Sequence, residues 1–365
     1  MPRQLKNVKK YISISLDNSI EKFQDFYDWL SDSSNEKPTL KIHENDDVYQ
    51  MYTSGTTGHP KGAVLLQRNV AANIRQYLNS LTLPRPSRTL LVAPMYHAAA
   101  MINMCGCIAI GGTIVIQEDF IPQDVVDCLA NEKITHTVLV PAMIQACLVS
   151  VPNVASNEYN DLDQIHYGAS PIAPETLKKA MDVFKCKFGQ GFGMTETVAV
   201  ICLMTPEEHI RALNEKPELL KSCGRPAIDT QVEIRDENDN PLPIGEIGQI
   251  CAKGPQIMKG YWNKKEETGK VLVDGWLHTG DIGKFVNGYL KITDRKKDII
   301  ITAGGKNISP SEIENELKFS PFISDAVVIG DKRKFLSCLI MIDEENVMKH
   351  AQDNDIPFSN FESLC

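Results

Sequence analysis

Short apolar runs alternate with helix-like stretches over the first two thirds of the chain. Residues 89–93, 113–117, 137–140 and 164–167 read as buried strands, and residues 123–132 and 174–184 read as helices between them. That alternation predicts an α/β layer with a substantially parallel sheet. From about Gly224 the texture changes. Residues 231–236, 248–253 and 289–293 look like short strands, separated by turn clusters such as Asp-Glu-Asn-Asp-Asn at 236–240, and this predicts a β-rich subdomain. Beyond Asp294-Arg295-Lys296-Lys297 come a loop, a helix opening after Ser309-Pro310 with Glu312 and Glu314 near its positive end, and strands at 325–330 and 337–342. Proline in a first helical turn and acids beside it favour a helix start there. A hinge is placed at 294–297 and a small α+β domain after it.

Residues 98–116 carry no charge, long enough to raise the question of a membrane span. Asn103, Gly106 and Gly111-Gly112 interrupt the stretch, and the β-branched run Thr113-Ile114-Val115-Ile116 ends it. The pattern predicts a buried helix, a tight turn and a buried strand.

With 365 residues the chain exceeds one ordinary core, so two domains, or one large layered domain with an appendage, are expected. Its 42% hydrophobic and 23% charged residues match soluble globular chains and exclude a disordered or fibrous protein. A net charge of −9 argues against nucleic acid as a partner. The ten cysteines form no paired framework, and Cys105-Gly-Cys107 lacks zinc-site spacing, so they read as reduced thiols in a cytoplasmic protein. Met1-Pro2-Arg3-Gln4-Leu5-Lys6 leads into a polar stretch with no secretory pattern.

The most informative segment is Tyr52-Thr53-Ser54-Gly55-Thr56-Thr57-Gly58-His59-Pro60-Lys61-Gly62, after a strand at 48–51. Its glycines permit positive φ, four hydroxyls offer donors and Lys61 offers a point charge, a composition suited to wrapping polyphosphate. It is not a Walker A loop, because Pro60 stands between the last loop glycine and the lysine. The string resembles the signature loop of the adenylate-forming (ANL) superfamily, which comprises acyl-CoA synthetases, peptide-synthetase adenylation domains and luciferases. The resemblance covers nearly the whole chain, with the motifs in the family's order.

On that resemblance, Thr53, Ser54, Gly55, Thr56, Thr57 and Gly58 wrap the phosphates, and Lys61 neutralises them. Gly191-Phe192-Gly193-Met194-Thr195-Glu196 joins a flat aromatic, a hydroxyl and a carboxylate on a tight turn; alone it would also serve as a plain strand-to-helix turn. The resemblance implies that Phe192 stacks on adenine, Thr195 bonds the α-phosphate and Glu196 holds Mg²⁺. Gly168-Ala169-Ser170-Pro171 resembles the loop lying against the base. Trp276-Leu277-His278-Thr279-Gly280-Asp281 resembles the ribose-binding segment, with Asp281 accepting from both hydroxyls, a task suited to an acceptor-only carboxylate. Arg295 is implied at ribose and phosphate, and Lys297 at the pivot of the small domain. Gly304-Gly305-Lys306-Asn307 resembles the loop lining the pantetheine tunnel of coenzyme A. Tyr96 and His97 resemble the pair bordering the carboxylate site. Peptide-synthetase domains place an aspartate here, and Tyr96-His97-Ala98-Ala99-Ala100 has none, which points to an acid without an α-amine.

The resemblance therefore implies an acid–thiol ligase that activates a carboxylic acid, of fatty or long-chain type, with ATP and Mg²⁺ and passes the acyl group to coenzyme A. Its partners are small molecules, without nucleic acid or a transmembrane segment, and with peripheral membrane contact compatible. Domains are expected at 1–293 (adenylation, lacking its first part), 294–297 (hinge) and 298–365 (C-terminal domain, cut short). Relatives carry well over a hundred residues ahead of the phosphate loop and a lysine near the C-terminus in a Pro-Lys-Thr-x-x-Gly-Lys pattern, so the chain is expected to be incomplete at both ends. Two other readings stand beside this one: an adenylate-forming ligase with a non-CoA acceptor, and a non-catalytic nucleotide- or acyl-binding protein.

Overall fold

The computed structural model describes residues 8–14, 23–53, 60–170, 172–295, 300–303, 307, 308, 310–318, 320 and 322–364. They fall into two units, residues 1–43 and 44–365. In the first, β1 (Ile12–Ser13) runs parallel to β2 (Gln24–Asp25), and α1 (Phe26–Ser31) follows. The Asp25 carboxylate accepts from the Tyr27 and Asp28 amides at 2.8 and 3.2 Å, satisfying two first-turn donors that the helix itself leaves without partners.

The second unit opens with the antiparallel hairpin of β3 (Asp47–Thr53) and β4 (Lys61–Leu66), in which Thr53 faces Lys61. All six residues of β4 are buried. The amphipathic helix α2 (Gln67–Leu81) follows and buries Val70, Tyr77 and Leu81. Next come β5 (Arg88–Leu91), α3 (Ala98–Ala109), β6 (Thr113–Ile116), α4 (Pro122–Asn131), β7 (His136–Val138), α5 (Pro141–Ser150), β8 (Gln164–Gly168), α6 (Pro174–Phe184) and β9 (Lys187–Phe192). Strands β6, β5, β7, β8 and β9 are neighbours in that order, all parallel. After β10 (Cys202–Met204) and α7 (Pro206–Asn214), β11 (Arg225–Pro226) joins β10 in extending the sheet antiparallel beyond β9, to seven strands.

The expected parallel layer is therefore present. Its helices start where the sequence allows: α4, α5, α6 and α7 each carry proline in the first turn, where its missing N–H costs nothing. Leu90, Ile165 and Phe188 from the sheet pack with Val125, Leu129, Ile144, Leu177 and Phe184 from the helices into one core cluster. The uncharged stretch resolves into α3, a turn at Gly111 (φ +73°) and β6; the expected buried strand is corrected to a half-exposed one, because β6 is the edge of the sheet, with Ile116 58% exposed. Among the described residues no helix is long and apolar enough to cross a membrane.

The β-rich part holds β12 (Gln231–Arg235), β13 (Gly248–Lys253), β14 (Gly260–Tyr261), α8 (Lys265–Val271), β15 (Leu272–Val273), β16 (Trp276–Val286) and β17 (Tyr289–Arg295). Strands β12, β13 and β16 form a meander in which both β15 and β17 pair with β16. β14 leaves that sheet and pairs with β4, completing a three-stranded sheet with the opening hairpin. The C-terminal segment comprises β18 (Ile300–Ile301), β19 (Asn307–Ile308), α9 (Pro310–Lys318), β20 (Ile323–Ile329), β21 (Ser337–Ile342) and α10 (Glu344–Asp353), with β20 and β21 antiparallel. Ser311 on α9 donates to Asp294 Oδ1 on β17 at 2.8 Å.

Candidate active site

A cavity of about 780 Å³ opens at the carboxyl ends of three neighbouring parallel strands. Val138 ends β7, Gly168 ends β8 and Gly191 lies at the end of β9, and all three border it. Carboxyl ends of parallel strands are where open α/β sheets bind ligands, because loops diverge there and leave a crevice. The cavity is also bordered by Thr53 and Lys61 from the β3–β4 hairpin, His97 at the start of α3, Thr195 and Glu196, and Thr279, Gly280 and Arg295 from β16 and β17.

Close backbone approach governs its floor. A side chain on Gly168 would meet the Gly191 carbonyl oxygen at 2.3 Å, and one on Gly193 would meet the Ala199 carbonyl oxygen at 2.0 Å; neither position admits another residue. The short turn Thr195–Thr197 follows, its Thr197 hydroxyl accepting from Met194 N–H at 3.1 Å. Val198 then takes φ +66°, costly for a β-branched residue and typical of a backbone held by its surroundings. Asn73, fully buried on α2, supplies part of that hold. Its amide nitrogen donates to Val200 C=O at 3.1 Å and its oxygen accepts from Val200 N–H at 3.2 Å.

Glu196 is 4% exposed, and Tyr261 on β14 donates its hydroxyl to Glu196 Oε1 at 2.7 Å. Burial and the neighbouring Glu196 charge both push the Tyr261 phenol up, so it remains the donor. Lys61 is 7% exposed; its Nζ lies 5.3 Å from the Tyr261 ring centroid and 2.8 Å from Glu267 Oε2. Lys270 meets Glu267 Oε1 at 2.7 Å. Those two ammonium groups, Lys270 first, hold the Glu267 carboxyl down at about 2. Arg295 faces Asp281 across the β16–β17 pair, Nε to Oδ1 at 3.3 Å. His97 caps α3, its Nδ1 accepting from Ala99 N–H at 3.2 Å, which places the proton of the neutral ring on Nε2.

Leu81, Ile102, Val138, Val140, Val200 and Leu203 give the cavity an apolar, uncharged wall. Tyr77 and His166 also border it. Gln164 donates from its amide nitrogen to Thr82 C=O, leaving its oxygen to accept from His166 Nε2 at 2.9 Å. His166 Nδ1 then accepts from the Tyr77 hydroxyl at 2.6 Å. Burial, reinforced by His136 and His209, lowers the His166 imidazole to about 3, so it stays neutral.

Of the residues expected from sequence, Thr53, Lys61, His97, Gly168, Ala169, Gly191, Gly193, Thr195, Glu196 and Arg295 border this one cavity. Asp281 is buried beside it and joined through Arg295. Ser170 is exposed and is not among the lining residues. Phe192 is not among them either; it is half-buried and packs in part against the cluster of Ile201, Cys202 and Ile250. Ser54, Gly55, Thr56, Thr57, Gly58, Lys297, Gly304, Gly305 and Lys306 lie outside the described residues. Sequence reasoning missed Tyr77, His166, Tyr261, Glu267 and Lys270. No local pattern marks them, since Tyr261 and Glu267 reach Glu196 and Lys61 across 65 and 206 positions.

Asp239, Cys251 and His278 bring three ligand-type atoms within 4.8 Å of one another. Arg235 Nη1 stands 3.1 Å from Asp239 Oδ2, and a guanidinium that close opposes a bound cation.

A crevice at the carboxyl ends of parallel strands, bordered by cations, a buried carboxylate and apolar side chains, is the ligand-binding arrangement of an open α/β fold. The model of AMP-binding enzymes matches residues 2–262, and that of the AMP-binding enzyme C-terminal domain matches residues 297–358. The chain belongs to the AMP-binding enzyme family. It is 36% identical over 303 residues to a feruloyl-CoA synthase of Amycolatopsis, covering 82% of this chain and 60% of that protein. It is 36% identical over 280 residues to a medium/long-chain fatty acid–CoA ligase of Mycobacterium tuberculosis, covering 76% and 48%. Among solved structures, the amide bond synthetase of Marinactinospora thermotolerans matches with a TM-score of 0.79 at 28% identity over 97% of this chain and 71% of that one. The O-succinylbenzoate coenzyme A synthetase of Bacillus subtilis, solved with ATP and a magnesium ion, matches with a TM-score of 0.78 at 25% identity over 99% and 76%. The chain thus spans 48–60% of the length of the curated relatives named here.

Proposed function

We propose that the protein is an AMP-forming acid–thiol ligase. It converts a carboxylic acid and ATP to an acyl adenylate and pyrophosphate, then transfers the acyl group to coenzyme A with release of AMP. The observation that carries this reading is the single cavity that joins Lys61, Thr195, Glu196 and Arg295 to an uncharged wall. The substrate carboxylate would attack the α-phosphorus, and pyrophosphate would leave. Lys61 and Thr195 would neutralise and orient the phosphates, work that consists mainly of positioning and electrostatics. Glu196 is a hard oxygen donor suited to Mg²⁺, which when bound would offset phosphate charge. Gly168, Ala169 and Gly191 would admit the base, Asp281 and Arg295 the ribose, and His97 would border the carboxylate. The apolar wall supports a fatty or comparably apolar acid, hence a role in lipid metabolism, and the unpaired cysteine pattern supports a cytoplasmic setting.

We further propose domains at 1–293 and 298–365 with the hinge at 294–297. Lys297 would serve as pivot and Gly304, Gly305 and Lys306 would line the thiol path, so that two reactions share one site by exchanging a wall. Fold similarity to an amide bond synthetase favours, as the second reading, an acceptor other than coenzyme A. ATP–pyrophosphate exchange and thioester formation, screened across alkyl and aryl acids, test both. Exchange that rises with an acid and yields its CoA ester is expected. Adenylate accumulation indifferent to coenzyme A would favour the second reading, and a folded protein without exchange for any acid would overturn both.

A further inference from the structure

We propose that Lys270 is a second polyphosphate-binding residue of this cavity, and that Glu267 is the positioning residue that holds Lys270 and Lys61 as a pair. The inference rests on the ATP-dependent reading above. Lys270 taken alone is an ordinary exposed helix lysine, and its i,i+3 contact with Glu267 would ordinarily contribute little. What distinguishes it is the shared carboxylate. Glu267 Oε2 takes the buried Lys61 at 2.8 Å and Glu267 Oε1 takes Lys270 at 2.7 Å. Both lysines border the cavity. Two ammonium groups thus share one carboxylate, and Lys61 has little water to solvate it.

Short strands fix the group rather than leaving it to the flexible stems. Tyr261 N–H donates to the Thr268 hydroxyl at 2.9 Å, which ties α8 to β14, and the same tyrosine supplies the ring beneath Lys61 and the donor to Glu196. The chain Lys270–Glu267–Lys61–Tyr261–Glu196 thus spans the cationic edge of the cavity. A diphosphate, with charge on both phosphoryl groups, matches two cations held apart by one carboxylate better than a single phosphate does.

The test is calorimetry of the full chain with magnesium pyrophosphate and, separately, with AMP, for the parent, Lys270→Met, Glu267→Gln and the double variant. Losing one charge-assisted contact should weaken pyrophosphate binding by about tenfold in Lys270→Met and leave AMP affinity within about twofold. In the Glu267→Gln background the same lysine change should cost less than about threefold, because the pair is no longer held, a non-additivity that a merely structural role would not produce. In pyrophosphate exchange the Lys270→Met loss should fall on the KM for pyrophosphate rather than on kcat. Pyrophosphate affinity unchanged in Lys270→Met, with AMP still bound, overturns this inference and leaves the ligase reading standing. An undiminished loss in the Glu267→Gln background removes Glu267 as the positioning residue. A folded parent that binds neither pyrophosphate nor AMP overturns both.

Discussion

Replacing Tyr261 by phenylalanine removes one oxygen from the centre of the charged edge and little else. The ring remains, so the contact beneath Lys61 at 5.3 Å is retained. What disappears is the 2.7 Å donation to Glu196, a carboxylate only 4% exposed. Hydrogen bonds to charged groups contribute about 1.5–3 kcal/mol, and a buried acceptor left without its donor bears the desolvation cost. Because both residues border a cavity that admits water, the lower half of that range applies, about 1.5–2 kcal/mol. At about 1–2 °C per kcal/mol for a chain of 365 residues, the thermal midpoint should fall by roughly 2–4 °C. If Glu196 also holds the metal, a carboxylate free to rotate should raise the magnesium concentration needed for half-maximal pyrophosphate exchange and lower its rate by about ten- to thirtyfold. Differential scanning calorimetry and magnesium titration of exchange measure the two effects. A midpoint within about a degree of the parent, with magnesium dependence unaltered, would refute the assignment of Tyr261 as the residue that fixes Glu196.

Asn73→Leu should destabilise the protein by about 2–4 kcal/mol in chemical denaturation, because both the N–H and the C=O of buried Val200 lose their partner. Gly193→Ala should abolish pyrophosphate exchange, since its Cβ would overlap the Ala199 carbonyl and displace the turn carrying Thr195 and Glu196; activity within about tenfold of the parent would contradict that packing argument. His136 and His209 are lowered to about 4 and His166 to about 3 by burial. Their folded pKa values lie below the unfolded one near 6.5, so the unfolded chain binds more protons, and stability present above pH 6.5 is lost as pH falls toward 4. Each histidine contributes at most about 1.4 kcal/mol per pH unit over that window. Unfolding free energies equal at pH 7 and pH 5 would show that these rings are not buried neutral.

The parallel layer was legible because its central strands are largely buried and read as apolar runs, a pattern that the half-exposed edge strand β6 shares in sequence though not in burial. β6, β8 and the helices opening on Pro122 and Pro174 fall where those runs and prolines place them. The motif residues were legible for a different reason, the resemblance of their strings to a known family's loops; at Gly168 and Gly193 the structure adds the physical ground, a backbone approach too close for any side chain. What escaped is non-local pairing. β14 is two residues long and lacks any pattern of its own, so its departure from the β-rich sheet to the far edge of β4 is decided by tertiary packing. With it go Tyr261, Glu267 and Lys270, whose importance depends on meeting Glu196 and Lys61.

The cavity's lining offers two kinds of surface. Lys61, Lys270, Arg295 and Glu196 contribute charge, and Leu81, Ile102, Val200 and Leu203 are apolar, while burial keeps His166 uncharged. If the protein takes an amphiphilic acid, as proposed, its apolar body is matched by the apolar side chains and its carboxylate by the cations, because the reverse would place a charge among groups unable to solvate it. Gly168, Gly191 and Gly193 also border the cavity, and their lack of side chains leaves backbone as the nearest surface there. A carboxylate and a phosphate meeting there would be presented to each other with water largely displaced, which is the condition under which positioning and fixed charge accelerate displacement most.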